Sequence, residues 1–145
     1  MTRPKASRPT VPAAARTLTQ GDYETLAEFR YLIRCFLEFS QDAAREVGLA
    51  PQQHQALLAI RGFPGGRALT IGDLAERLRI RHQTAVELVD RLAEGGLAAR
   101  TPDPNDHRRI LVGLTERAND LLAQLGAVHL DELARIKPSL KKILS

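Results

Sequence analysis

Apolar residues recur at three- and four-residue steps from Asp22 to Val47, at Leu26, Phe29, Ile33, Phe36, Leu37 and Ala44. That period predicts a helix of roughly 39 Å, long for a small domain, so it is expected to reach outside a single core. Asp22 is placed to cap its start, and Gly48 to supply the left-handed residue after its end. Pro51 opens a second helix, to about Arg61, with Leu57, Leu58 and Ile60 inward. Phe63-Pro64-Gly65-Gly66 reads as a loop. Thr70 and Asp73 then have the spacing of a capping box, ahead of an inward stripe of Ile71, Leu74, Ala75 and Leu78. A break at Arg79-Ile80-Arg81 leads to a helix over His82–Glu94, with Ala85, Leu88, Val89 and Leu92 inward and Gly95-Gly96 ending it. Two short helices across a tight turn read as helix-turn-helix.

Beyond Gly96 the period changes. Leu97–Arg100 and Ile110–Leu114 are short strand candidates, separated by the turn-rich stretch Thr101–Arg109. A hairpin directly after a helix-turn-helix is a wing. Thr115 caps a last long helix, about Glu116 to Ile136, with Ala118, Leu121, Leu122, Leu125 and Val128 inward. Pro138 is expected to break it, leaving a turn or two up to Leu144. The fold class is mainly α: a winged helix-turn-helix (an α+β wing) over about 51–115, flanked by long helices at about 22–47 and 116–144 within a single domain, 19–145.

Net charge is +4, but the excess is local. Arg3, Lys5, Arg8 and Arg16 precede the first acidic residue, Asp22, and the remaining 17 basic residues balance the 17 acidic ones. A polyanion site in the body must therefore come from placement, not bulk charge. Residues 1–18 have no helical period and read as a disordered basic arm, either a solubilising tail or a segment that touches DNA. With six aromatic residues and no Trp, the stacking platforms of single-strand and RNA binders lack material. A lone cysteine, Cys35, excludes an intrachain disulfide framework and a multi-cysteine zinc site. No apolar run approaches a membrane span, and residues 1–16 lack the apolar segment of a secretory signal, so a cytoplasmic protein without membrane partners is expected.

The order of elements resembles the MarR (multiple antibiotic resistance regulator) family of winged-helix transcriptional regulators. Asp106-x-Arg108, five residues, then Leu114-Thr115 matches the family's D-x-R…L-T wing signature, preceded by Pro102-Asp103-Pro104-Asn105. Leu88-Val89-Asp90-Arg91-Leu92 resembles the end of the family's recognition helix. Two positions depart from it: Arg81 stands where many relatives have Ser or Thr, and Glu87 where many carry Arg or another polar donor. The resemblance implies a homodimer whose first and last helices interlock, bound to double-stranded DNA, more readily a repressor than an activator. It also implies a possible small-molecule effector between the dimer helices and the winged domain. Phe29, Phe36, His54 and Leu57 are candidates to line that site, and each is equally suited to the core.

At the DNA surface, the positions of the 82–94 helix not used for its core turn outward. Gln83 can pair with adenine in a bidentate fashion, His82 can donate to guanine or phosphate, and Glu87 can accept from cytosine N4. The bland alternative pairs Glu87 with Arg91 four residues on. Thr84 suits a phosphate bond or a cap, Arg79 and Arg81 suit phosphate, and Arg91 is a further candidate to contact DNA. Arg108 suits a narrow minor groove, with Arg109 beside it, and Asp106 is placed to orient the wing arginine. Without the signature, Asp106 reads as a turn former and both arginines as solvated charges.

No catalytic pattern competes. His54, His82, His107 and His129 fall on four different elements, none at a metal-binding helical spacing, and Gly65-Gly66 lacks the Lys and Ser of a phosphate loop. Neither an enzyme, a metal nor a cofactor is expected. Cys35, beside Ile33, Phe36 and Leu37, reads as a buried structural thiol. The remaining alternative is a winged-helix dimer that acts as a protein-interaction module without specific DNA binding.

Overall fold

The structure, a computed structural model, describes residues 8–13 and 16–145. The arm expected over 1–18 lies partly outside these, and residues 8–13 and 16–19 form no helix or strand. The described chain runs α1 (Gln20–Glu46), α2 (Pro51–Arg61), a 3-10 turn (Pro64–Gly66), β1 (Leu69–Thr70), α3 (Ile71–Leu78), α4 (His82–Glu94), β2 (Ala98–Pro102), β3 (Ile110–Leu114) and α5 (Glu116–Leu144). The strands form one antiparallel sheet in the order β1-β3-β2, with Leu69 opposite Val112, and Arg100 opposite Val112 on the other side. The two residues of β1 were hidden in the sequence by the helix cap that Thr70 also provides.

Capping boxes set two helix starts. Thr70 Oγ1 accepts from the Asp73 amide at 3.1 Å, and Asp73 accepts from the Thr70 amide at 3.0 Å. The same box opens α1, but its cap is Thr19 rather than Asp22: Asp22 sits three residues in and accepts from the Thr19 amide at 2.8 Å. The hydroxyl takes the cap because its oxygen reaches the first-turn amides while the carboxylate reaches back, so the helix starts earlier than Asp22 suggested. Gly48 takes φ +80, and the Leu49 amide closes the helix end on the Ala44 carbonyl at 2.9 Å.

The core lies under the helix-turn-helix, where Leu57, Leu69, Leu74, Val89, Leu92 and Leu125 are fully buried. Leu58 points out, 53% exposed, because Ala56, Leu57 and Ile60 already fill the inward face of α2. Val128 is likewise exposed, because Leu125 and His129 take the inward side of α5 there. In α1, about 40 Å long, only Ala44 is buried, and Leu26, Phe29, Ile33 and Leu37 lie open on the single chain. Cys35 is exposed with them, against the expectation of a buried thiol, because this stretch of α1 stands clear of the core.

Pro138 does not break α5, which continues to Leu144. A proline inside a helix removes one donor and crowds the carbonyl four residues earlier. Pro138 and Ala134 both face solvent, where water satisfies the orphaned carbonyl. Beyond them, Ser139, Lys142 and Ile143 share a surface groove with Gly21 and Thr25 at the start of α1, which gives the extra turns something to pack on.

Candidate nucleic-acid interface

The inward stripe of α4 is Ala85, Leu88, Val89 and Leu92, all buried. His82, Gln83, Thr84, Glu87, Asp90 and Arg91 are exposed on its other faces, and Val86 is half-buried. Arg81 is the residue before the helix, with extended backbone and no side-chain cap. Thr84 does not cap either, so the first-turn amides of α4 point into solvent with the positive end of the helix dipole behind them. Arg79 has a further duty. It holds the left-handed conformation that ends α3 (φ 56), and the Ile80 amide closes on the Ala75 carbonyl at 2.9 Å. Its guanidinium pairs with Glu76 at 3.2 Å.

The wing tip is internally braced. The Asp103 amide donates to the Arg109 carbonyl at 2.9 Å, and the Arg109 amide to the Asp106 carbonyl at 2.9 Å. Asp106 Oδ1 accepts from the Arg108 amide at 3.1 Å and from Arg108 Nε at 3.2 Å. One carboxylate therefore fixes both the backbone and the guanidinium of Arg108, whose side chain is otherwise 92% exposed. Arg109 leans toward Asp103 at 4.0 Å.

A groove of about 370 Å³ joins these parts. His82 lines it from the start of α4, Arg108, Arg109 and Ile110 from the wing, and Thr70, Ile71 and Gly72 from the start of α3. Two helix N-termini, two arginines and a histidine thus meet in one concavity, a favourable setting for a phosphate-bearing ligand. Gln83, Thr84, Glu87 and Arg91 continue from it along exposed α4.

Glu87 does not pair with Arg91. The acidic residue of α4 that finds a partner is Asp90, bonded to the Arg100 guanidinium from β2. Arg100 also donates to the Val86 carbonyl at 3.5 Å. Sequence spacing offered i,i+4 pairs within the helix, and only the wing's register brings Arg100 alongside.

The four residues considered for an effector do not converge. Leu57 is core, and Phe29 is exposed on α1. Phe36 and His54 instead meet His129 of α5, at ring-centroid distances of 6.0 and 5.0 Å, with Phe39 at 5.4 Å. His129 bridges the Leu125 carbonyl at 2.6 Å and Ser40 Oγ at 2.9 Å. Two of the four histidines, His54 and His129, thus pair where α1, α2 and α5 cross. The signal was the placement of His54 and His129 on the inward sides of their helices. Among the described residues no group of three or more metal-ligating side chains forms.

His54 is 4% exposed, and burial holds its pKa below the ordinary histidine range, with the charge of neighbouring His129 acting the same way. The unfolded chain therefore takes up a proton near pH 6.5 that the folded chain resists. The stabilisation is complete above that pH and is lost as pH falls below it, by at most about 1.4 kcal/mol per pH unit. Melting temperatures between about pH 7.5 and 5 will fall for the native chain, and His54→Leu will flatten that slope.

A three-helix unit with a turn-linked second and third helix, a short strand before the second helix and a β-hairpin after the third, defines a winged-helix protein. The comparisons agree with this. The MarR family model matches residues 47–109, the helix-turn-helix and wing. YcgE of Bacillus subtilis (strain 168), described as an uncharacterized HTH-type transcriptional regulator, is 32% identical over 84 residues, 58% of this chain and 53% of its own length. The chain thus spans about half of that relative. A MarR family protein from Bacillus stearothermophilus superposes with a TM-score of 0.70 at 21% identity, covering 83% of this chain and 82% of that one. A point mutant of S. aureus MepR bound to an oligodeoxyribonucleotide gives 0.63 at 22% identity, covering 84% and 95%. The winged-helix segment of the chain thus matches the MarR family model, and the helices around that segment complete the fold of these solved structures.

Proposed function

We propose that the protein is a homodimeric transcriptional regulator that binds an inverted repeat in double-stranded DNA and acts as a repressor. The observation that carries the reading is the groove in which His82, Arg108 and Arg109 meet beside two helix starts. In it, α4 enters the major groove, with Gln83, His82 and Glu87 at base edges, Thr84, Arg81 and Arg79 toward phosphate, and Arg91 further along the backbone. Arg108, held by Asp106, enters the adjacent minor groove with Arg109 at its rim. The open apolar positions of α1, together with Val128, Leu130 and Leu133 of α5, favour a second copy as the partner that covers them. Repression needs only that the bound dimer occupies its site.

An effector, where one acts, is read at the crossing of α1, α2 and α5, beside Phe36, Phe39, His54 and His129. No helix among the described residues is long and apolar enough to cross a membrane. The deciding experiment is selection of genomic fragments by the purified protein, followed by titration across salt. An enriched inverted repeat and a steep loss of affinity with salt are expected. Recovery of no preferred sequence would leave the protein-interaction module as the better description.

A further inference from the structure

β3 is tied to β1 at Leu111 and Val112, but the outer strand of the wing, β2, has little to lean on. Of β2, only Ala98 is buried, and Ala99 to Pro102 are exposed. On one side β2 is held by its ladder with β3, from Ala98 opposite Leu114 to Pro102 opposite Ile110. On the other side, the Arg100 guanidinium reaches α4 and bonds both Asp90 and the Val86 carbonyl. We infer that the Asp90–Arg100 pair is a positioning device that sets the angle between the wing and α4, and thereby where Arg108 meets DNA relative to His82 and Gln83. The inference rests on the DNA-binding reading above.

Geometry gives the pair its leverage. From Ala98 to Pro102 the strand rises about 13 Å, so a tilt of about 10° displaces the wing tip by roughly 2 Å. That is most of a hydrogen-bond length, enough to withdraw the Arg108 fork from an acceptor. Asp90 also lies on the helix that faces phosphate. Paired with Arg100, its charge is neutralised by a group that does structural duty in the same bond. The Arg100 side chain is about one-third and that of Asp90 half exposed, so the pair contributes little to overall stability. Its removal acts on the wing's aim rather than on folding.

The test compares the best duplex from a random-sequence pool with an unrelated duplex, at fixed salt, for the native chain, Asp90→Asn, Arg108→Ala and the double variant. Asp90→Asn is expected to lower the ratio of selected to unrelated affinity roughly tenfold, with the melting temperature nearly unchanged. In the Arg108→Ala background the same change should cost no more than about twofold, because the wing arginine it aims is gone. Full additivity would overturn the inference, since Asp90 would then act without the wing, although DNA binding itself would stand. A native chain that prefers no duplex would instead defeat the regulatory reading. A second measurement covers that case. Spin labels at Glu94 and His107, in a Cys35→Ser chain, should show a distance distribution that broadens on Asp90→Asn, and an unchanged distribution would sink the proposal.

Discussion

Lengthening the spacer of the preferred duplex by about five base pairs will lower affinity to nearly that for unrelated DNA. Two copies related by a two-fold axis present identical recognition helices, and both must reach the major groove on one face of the duplex. Half-site centres are therefore expected about one helical turn apart, and half a turn of extra spacer points one half-site away from its helix. The difference between specific and unrelated DNA is commonly 10³-fold or more, on the order of 4 kcal/mol, which makes this the largest effect expected. A full-turn insertion restores the face but not the distance. In the proposed dimer, built on α1 and α5 of about 40 Å each, the two winged units would be held at a limited separation. Titration by gel shift at constant salt decides it. Full affinity after the half-turn insertion would mean that each subunit binds alone, and the dimeric part of the proposal would fail.

Arg108→Ala will weaken binding to the selected duplex by about 1–3 kcal/mol, or roughly 5- to 150-fold. The guanidinium is already oriented by Asp106 before DNA arrives, so little ordering cost is left to offset its contact. A narrow minor groove concentrates negative potential, where a planar cation gains most. The melting temperature should hardly move, because the side chain is 92% exposed and its partner is a single carboxylate. Arg108→Lys keeps the charge but loses the fork, so it should recover only part of the affinity. Equal affinity for native and Arg108→Ala proteins at fixed salt would remove the wing from the mechanism.

The helix-turn-helix was legible because its local signals agree. The buried set of α4 is the stripe its period specifies, and the Thr70–Asp73 box opens α3 where the spacing puts it. The bracing of Arg108 by Asp106 was legible for a similar reason, being two residues apart in one turn. What escaped the sequence depends on neighbours distant along the chain. Arg100 meets Asp90 only through hairpin register, and His54 meets His129 only through the crossing of helices. Cys35 was misread because an apolar helical stripe specifies a covered face without saying what covers it. The core of this chain leaves that part of α1 bare. Pro138 was misread because its local penalty is small where solvent can satisfy the freed carbonyl.

One seam has a mechanical consequence. The Thr115 amide donates to the Leu97 carbonyl at 3.1 Å, Thr115 Oγ1 to the Gly96 carbonyl at 2.8 Å, and Arg117 Nη1 to the Gly95 carbonyl at 2.9 Å. The first turn of α5 is thereby stitched to the carbonyls that close α4. Since Thr115 also caps its own helix through the Ala118 amide, the stitches and the helix start open together or not at all. The end of α4 and the start of α5, the longest helix, are therefore expected to open as one unit, an elbow without a joint. The wing, by contrast, meets α4 through the Arg100 side chain and meets the core through the pairing of β3 with β1.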